Sequence, residues 1–120
     1  SKVFIEVGKN DLGMDIPINQ IMEDYEQVIS MLKKETNAEI FINSVLPVQD
    51  LPYEGFQNVE INNLNKKLKY LCELQAVTFI DLSDIFEDEN GNLNAELTND
   101  GLHLTAKGYL LWVERLKPYF

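Results

Sequence analysis

Cysteine is all but missing from this chain. Cys72 stands alone, so no intrachain disulfide can form and no CxxC spacing for zinc exists. Its neighbours, Leu71-Cys72-Glu73-Leu74, read as one turn of a helix, and Cys72 there reads as a packing residue. Positive charge is scarce as well: ten Lys and Arg face twenty Asp and Glu, for a formal charge of -10. A nucleic-acid partner leans on clustered Lys and Arg, so this balance argues against one. It suits a chain kept soluble by its charge and acting on a small neutral or cationic molecule. Long apolar runs are lacking too. Nothing approaches the roughly 20 residues of a membrane-spanning helix, and the first residues carry no signal-peptide pattern.

What is present is enough for one compact domain. The 120 residues are 45% hydrophobic, which allows a real core, although a chain this short buries less of its surface than a larger one. Val3-Phe4-Ile5-Glu6-Val7 reads as a buried strand ending at Gly8, followed by a turn-rich loop over Gly8–Gly13. Pro17 suits the first turn of a helix. Ile18, Ile21, Met22, Tyr25, Val28, Ile29 and Leu32 then recur at helical spacing to about Lys34. Glu39–Val45 is a second strand. Pro47 and Pro52 bracket a loop to about Asn58, and a second helix turns Ile61, Leu64, Leu68, Leu71 and Cys72 inward. Val77–Leu82 is a third strand, residues 83–87 fit one helical turn, and Asn90-Gly91-Asn92 is a turn. Residues 97–104 read as an irregular loop. Thr105 is placed to cap a last helix to about Lys117, with Tyr109, Trp112, Val113 and Leu116 on its buried side. Strands alternating with helices imply an α/β fold with a parallel sheet and right-handed crossovers.

Two loops concentrate polar chemistry. Gly8-Lys9-Asn10-Asp11 follows the first strand, at the carboxyl edge where open α/β sheets gather their ligand sites. Asp100-Gly101-Leu102-His103 lies just before the last helix, and the final loop can bring His103 to the same edge. An Asp placed three residues before a His can accept a hydrogen bond from one ring nitrogen and fix the tautomer. The other nitrogen is then a general base toward a hydroxyl and later a general acid toward a leaving group. The side-chain amide of Asn10 can donate to a developing oxyanion. Each residue also has a plainer reading. His103 can be merely exposed, Asp100 a turn residue before Gly101, and Asn10 a turn or helix cap. Asp11 reads as ordering its loop and Lys9 as solvated. Asp88-Glu89-Asn90-Gly91 hints at a calcium loop, but with Gly91 in sixth place the first place holds Phe86 and the twelfth Leu97, so no metal is expected.

In this order and spacing, three blocks resemble those of the SGNH hydrolases, the GDSL-like lipases and acylhydrolases. Gly8-Lys9-Asn10-Asp11 resembles the GxND block. Asn99-Asp100-Gly101-Leu102-His103-Leu104-Thr105 resembles the closing DGLHL block, and Asn43-Ser44-Val45-Leu46-Pro47 is similar to the strand-to-loop segment between them. The resemblance implies a three-layer flavodoxin-like α/β fold and hydrolysis of a small-molecule ester, such as an acetylated sugar or a lipid, with no metal or cofactor. By position it implies that Asn10 is an oxyanion-hole donor, His103 the base and Asp100 its orienting acid. It also implies a truncation. The family opens with a Gly-Asp-Ser block and a glycine-bearing block, and neither is found here. The serines are Ser1, Ser30, Ser44 and Ser83, and none sits where the family carries its nucleophile. The chain therefore reads as the C-terminal portion of one domain, beginning at the third strand and expected to be inactive alone. The Val45–Phe56 loop, with Leu46, Val48 and Tyr53, is a candidate pocket wall. A rival reading takes the chain as a non-catalytic fragment that self-associates through an unpaired sheet edge. A weaker one takes it as a small α/β binding module.

Overall fold

The computed structural model describes residues 1–50 and 57–120. The elements follow in the order β1 (Lys2–Ile5), α1 (Lys9–Gly13), α2 (Ile18–Glu35), β2 (Glu39–Asn43), α3 (Asn58–Gln75), β3 (Thr78–Ile80), α4 (Ser83–Phe86) and α5 (Ala106–Leu116), with short 3-10 turns at Ala95–Leu97 and Lys117–Tyr119. The strands pair in parallel in the order β1-β2-β3. The connecting helices α2 and α3 cover one face of the sheet, and α4 and α5, which follow β3, cover the other, so the central strand is apolar on both sides. Ile40 and Ile42 of β2 face the layer of α2 and α3, where they join Ile21, Tyr25, Ile29, Leu64 and Leu68. Phe41 faces the other way, into a cluster with Leu46, Ile80, Phe86, Leu93 and Leu97. Trp112 and Leu116 of α5 close that second layer, and Phe4 stacks on Phe41 with ring centroids 4.7 Å apart. The result is a three-layer α/β arrangement, as the alternation of strands and helices predicts.

The inward stripe of α3 is as expected: Ile61, Leu64, Leu68, Leu71 and Cys72 are all buried. The stripe of α2 is narrower than its spacing implies. Ile21, Tyr25 and Ile29 are buried while Val28 is exposed, because the partner surface subtends less of the helix than the apolar sequence does. The last helix differs more. Tyr109 is 52% and Val113 45% exposed. The side turned inward runs through Gly108, Trp112 and Leu116, because Gly108 lets α5 approach Leu104: a Cβ there would lie 3.1 Å from the Leu104 Cβ. The cap is as expected, with the Thr105 hydroxyl accepting from the Gly108 N–H at 3.3 Å.

The segment Gly8–Gly13 is not a loop. Gly8 takes a left-handed conformation at φ 110°, and the chain then makes the short helix α1 with Leu12 buried. A side chain at Gly8 would be strained, and its Cβ would meet Ile21 Cγ2 and Leu64 Cδ2 at 3.3 Å. Tyr25 fixes the end of the strand from below. Its hydroxyl donates to the Val7 carbonyl at 2.6 Å and accepts from the Val7 N–H at 3.1 Å. Burial pushes the Tyr25 phenol up to about 12, so it stays a neutral donor.

Candidate active site

Three segments meet at the carboxyl edge of the sheet, and a hydrogen bond ties two of them together. After β2, the Asn65 side chain clamps both backbone groups of Val45 at 2.7 and 2.9 Å. Asn58 does the same for Val48 at 2.8 and 2.6 Å. The Gln49 N–H then donates to the Gly101 carbonyl at 2.9 Å, joining this loop to the Asp100–His103 turn. That turn is organised by two side chains. Gly101 sits at φ 85°, the left-handed position that lets the chain double back. Asp100 Oδ1 accepts from the Leu102 and His103 N–H groups at 2.8 and 2.7 Å, while its Oδ2 lies 2.7 Å from His103 Nδ1. The His103 hydrogen bond, helped by the two backbone donors, holds the Asp100 carboxyl well below the usual carboxylate range.

Thr98 is the residue that sequence reasoning missed. Its hydroxyl, in a side chain only 7% exposed, accepts from the Gly101 N–H at 2.9 Å and donates to the His103 carbonyl at 2.7 Å. The spacing Thr98-Asn99-Asp100-Gly101 carries the signal in outline, since Thr and Asp side chains near a Gly turn commonly bond the local backbone.

Asn10 and His103, distant along the chain, line one cleft of about 460 Å³. Its walls also include Glu6, Lys9, Leu46, Tyr109 and Trp112. The plainer reading of Asn10 as a helix cap does not hold: Gly8 occupies the cap position of α1, with no side-chain hydrogen bond. Lys9 is half-buried rather than solvated, and burial lowers its pKa while Glu6 opposes that shift. Burial raises the pKa of Glu6, with Lys9 pulling the other way. Of the loop residues considered as a pocket wall, Leu46 lines the cleft, Val48 is buried in the α2–α3 core, and Tyr53 lies outside the described residues.

None of the four serines lines this cleft. Ser44 is buried and its Oγ accepts from the Leu82 N–H at 2.9 Å. The Ser83 hydroxyl donates to Asp81 at 2.6 Å beside a separate groove. Ser30 is exposed on α2, and Ser1 is exposed at the N-terminus. The cleft thus presents the His103 imidazole, with Asp100 bonded to it, and the Asn10 amide, without a serine hydroxyl from these residues.

Comparison with known proteins agrees with the three sequence blocks. Residues 1–111 match the GDSL-like Lipase/Acylhydrolase family. The chain belongs to this family. A Streptococcus pneumonia structure described as a platelet activating factor is similar, with 33% identity and a TM-score of 0.89 over 98% of this chain and 58% of that one. A GDSL-like lipase from Bacteroides thetaiotaomicron shares the fold at 21% identity and a TM-score of 0.86, over 98% and 60% of the two chains. Among curated proteins, an N-acylneuraminate cytidylyltransferase from Streptococcus agalactiae is 27% identical over 98% of this chain and 29% of its own length. The isoamyl acetate-hydrolyzing esterase of Saccharomyces cerevisiae is 27% identical over 93% of this chain and 53% of its own length. The GDSL-like chain therefore spans 29% and 53% of the length of these two curated relatives. No helix among the described residues is long and apolar enough to cross a membrane.

Proposed function

We propose that this chain contributes the base, the orienting acid and an oxyanion donor to a serine ester hydrolase. In this reading the attacking hydroxyl comes from a longer polypeptide that carries these residues in its C-terminal part. The observation that carries it is the Asp100–His103 pair, 2.7 Å apart, on a turn that opens into the same cleft as Asn10. With Nδ1 engaged by Asp100, Nε2 of His103 takes the proton as the hydroxyl attacks the ester carbonyl. The carbonyl oxygen becomes an oxyanion and accepts a hydrogen bond from the Asn10 amide. Collapse of this intermediate breaks the bond to the alcohol, which leaves with the proton from His103. Water then attacks the acyl-enzyme by the same route and releases the acid. Likeness to an isoamyl acetate esterase supports an acetyl or other short acyl group on a small-molecule ester. The test is hydrolysis of p-nitrophenyl acetate by the 120-residue chain and by the longer polypeptide. The expected result is turnover only by the longer one, abolished by His103→Ala. Turnover by the short chain that depends on His103 overturns the claim that it is inactive alone, and no turnover by the longer one overturns the esterase reading.

The outer edge of β1 has no strand partner among the described residues, which favours a second reading: the isolated chain self-associates through that edge. Light scattering after size-exclusion chromatography tests it, and a clean monomer removes it.

A further inference from the structure

The cleft has two unlike walls, and the mechanism above uses one group from each, Asn10 and His103. On the first wall, Glu6 and Lys9 line the cleft beside Asn10 and are left over. Both are half-buried, and among the described residues neither side chain makes an ion pair or a hydrogen bond. Burial acts against both charges. On the second wall, the rings of Tyr109 and Trp112 lie nearly parallel, at 8°, with centroids 6.4 Å apart. Trp112 is backed by Phe86, while Tyr109 is exposed and has no further ring partner among the described residues.

The acyl group assigned above is short, so most of a cleft of about 460 Å³ is left for the alcohol part of the ester. An alkyl chain there takes more water from Glu6 and Lys9 and returns no hydrogen bond, which is costly for charged groups. An anion is opposed by Glu6 and Asp11, which outnumber Lys9 on that wall. A hydroxyl suits both charges, since it donates to a carboxylate and accepts from an ammonium. The C–H side of a saturated ring suits Tyr109, whose ring face carries partial negative charge. Hydroxyls on the rim and a C–H face are the two surfaces of a sugar ring. We propose that Glu6, Lys9 and Tyr109 form a subsite for a sugar ring that carries the ester. Glu6 accepts from one ring hydroxyl, Lys9 donates to its neighbour, and the C–H face of the ring rests on Tyr109. These residues set specificity and take no part in bond making. The subsite presupposes the ester-hydrolase reading, and it selects sugar esters over lipid esters.

The test uses the longer polypeptide with monoacetylated methyl glucosides, galactosides and mannosides. Each is compared with cyclohexyl acetate, a ring of similar size without hydroxyls. At least one sugar ester should be preferred by about tenfold or more in kcat/KM, because a site built for hydroxyls rejects the analogue that lacks them. Lys9→Met keeps the stem and removes the ammonium, so it should lower kcat/KM on that sugar ester about tenfold more than on cyclohexyl acetate. Glu6→Gln makes the same comparison if Lys9→Met does not fold. Tyr109→Ala should weaken both ring substrates by roughly fivefold, since it removes the platform and no hydrogen bond. The subsite is overturned by a preference below about tenfold for every sugar ester, by a Lys9→Met loss equal on both substrates, or by a Tyr109→Ala variant that loses nothing on either. If the longer polypeptide hydrolyses neither these esters nor p-nitrophenyl acetate, the esterase reading fails by itself. Saturation-transfer NMR with the same methyl glycosides, unacetylated, then decides on the subsite. A signal lost on Lys9→Met supports it, and no signal, or one indifferent to Lys9→Met, overturns it.

Discussion

Replacing Thr98 by Val tests whether the Asp100–His103 turn is a built device or a casual contact. The side chain keeps its shape and loses only its hydroxyl. Two hydrogen bonds go with it, from Gly101 N–H at 2.9 Å and to the His103 carbonyl at 2.7 Å. A typical bond contributes about 1 kcal/mol net, and the buried Gly101 N–H left without a partner costs about 1–3 kcal/mol. The added methyl returns about 0.8 kcal/mol of burial. The net loss is about 2 kcal/mol, which in a domain of this size lowers Tm by roughly 8 °C. Thr98→Ser keeps the hydroxyl and should recover most of that loss. In the longer polypeptide Thr98→Val should also lower kcat by about tenfold, because the His103 carbonyl is released and the ring is less well aimed. Thermal unfolding by circular dichroism and steady-state kinetics measure the two effects. If Thr98→Val melts within about 1 °C of the parent and keeps its kcat, the assigned role of this hydroxyl is wrong.

Further outcomes follow from the same geometry. Asn10→Ala in the longer polypeptide should reduce kcat by about 10²–10³ with little change in KM, since its amide is assigned to the oxyanion and not to the ester ground state. Glu6→Gln should raise Tm at neutral pH. Burial raises the folded pKa of Glu6 above its ordinary 4.5, so its stability penalty grows as pH climbs through and above that value; below 4.5 the variant and parent should melt alike. Carboxyl-carbon NMR should show His103→Ala raising the Asp100 pKa toward its ordinary 3.8, since the histidine is the largest cause of the depression. The sign is that of a depressed carboxylate, whose contribution to stability is present above 3.8 and lost as pH falls below it. Leu64→Ala should cost about 2–5 kcal/mol, read by urea unfolding, because Leu64 is fully buried in the α2–α3 layer and packs beneath Gly8.

The layered fold was legible in the sequence because its signals are local and periodic. The α3 stripe Ile61, Leu64, Leu68, Leu71 names its own buried side, and the apolar run around Ile40–Ile42 names a strand covered on both faces. What escaped depends on packing between distant segments. Helix α1 is too short to show a period and is started by the left-handed Gly8, so it reads as a loop. The side of α5 that turns inward is decided by the close approach of Gly108 to Leu104, which leaves Tyr109 and Val113 outside although their apolar character suggests otherwise. At the site, Asp100, His103 and Asn10 were legible as types at a spacing. That Asn10 and His103 share a cleft, that Lys9 is half-buried in it, and that Thr98 bolts the turn are products of the tertiary structure.

The account stands on a hydroxyl from outside these 120 residues reacting between His103 and Asn10. Labelling with a fluorophosphonate, followed by mass spectrometry of the digested protein, tests this most directly. The account predicts no adduct on the 120-residue chain, and one adduct on a serine outside residues 1–120 of the longer polypeptide, lost on His103→Ala. An adduct on Ser1, Ser30, Ser44 or Ser83, or labelling that is indifferent to His103, would contradict it.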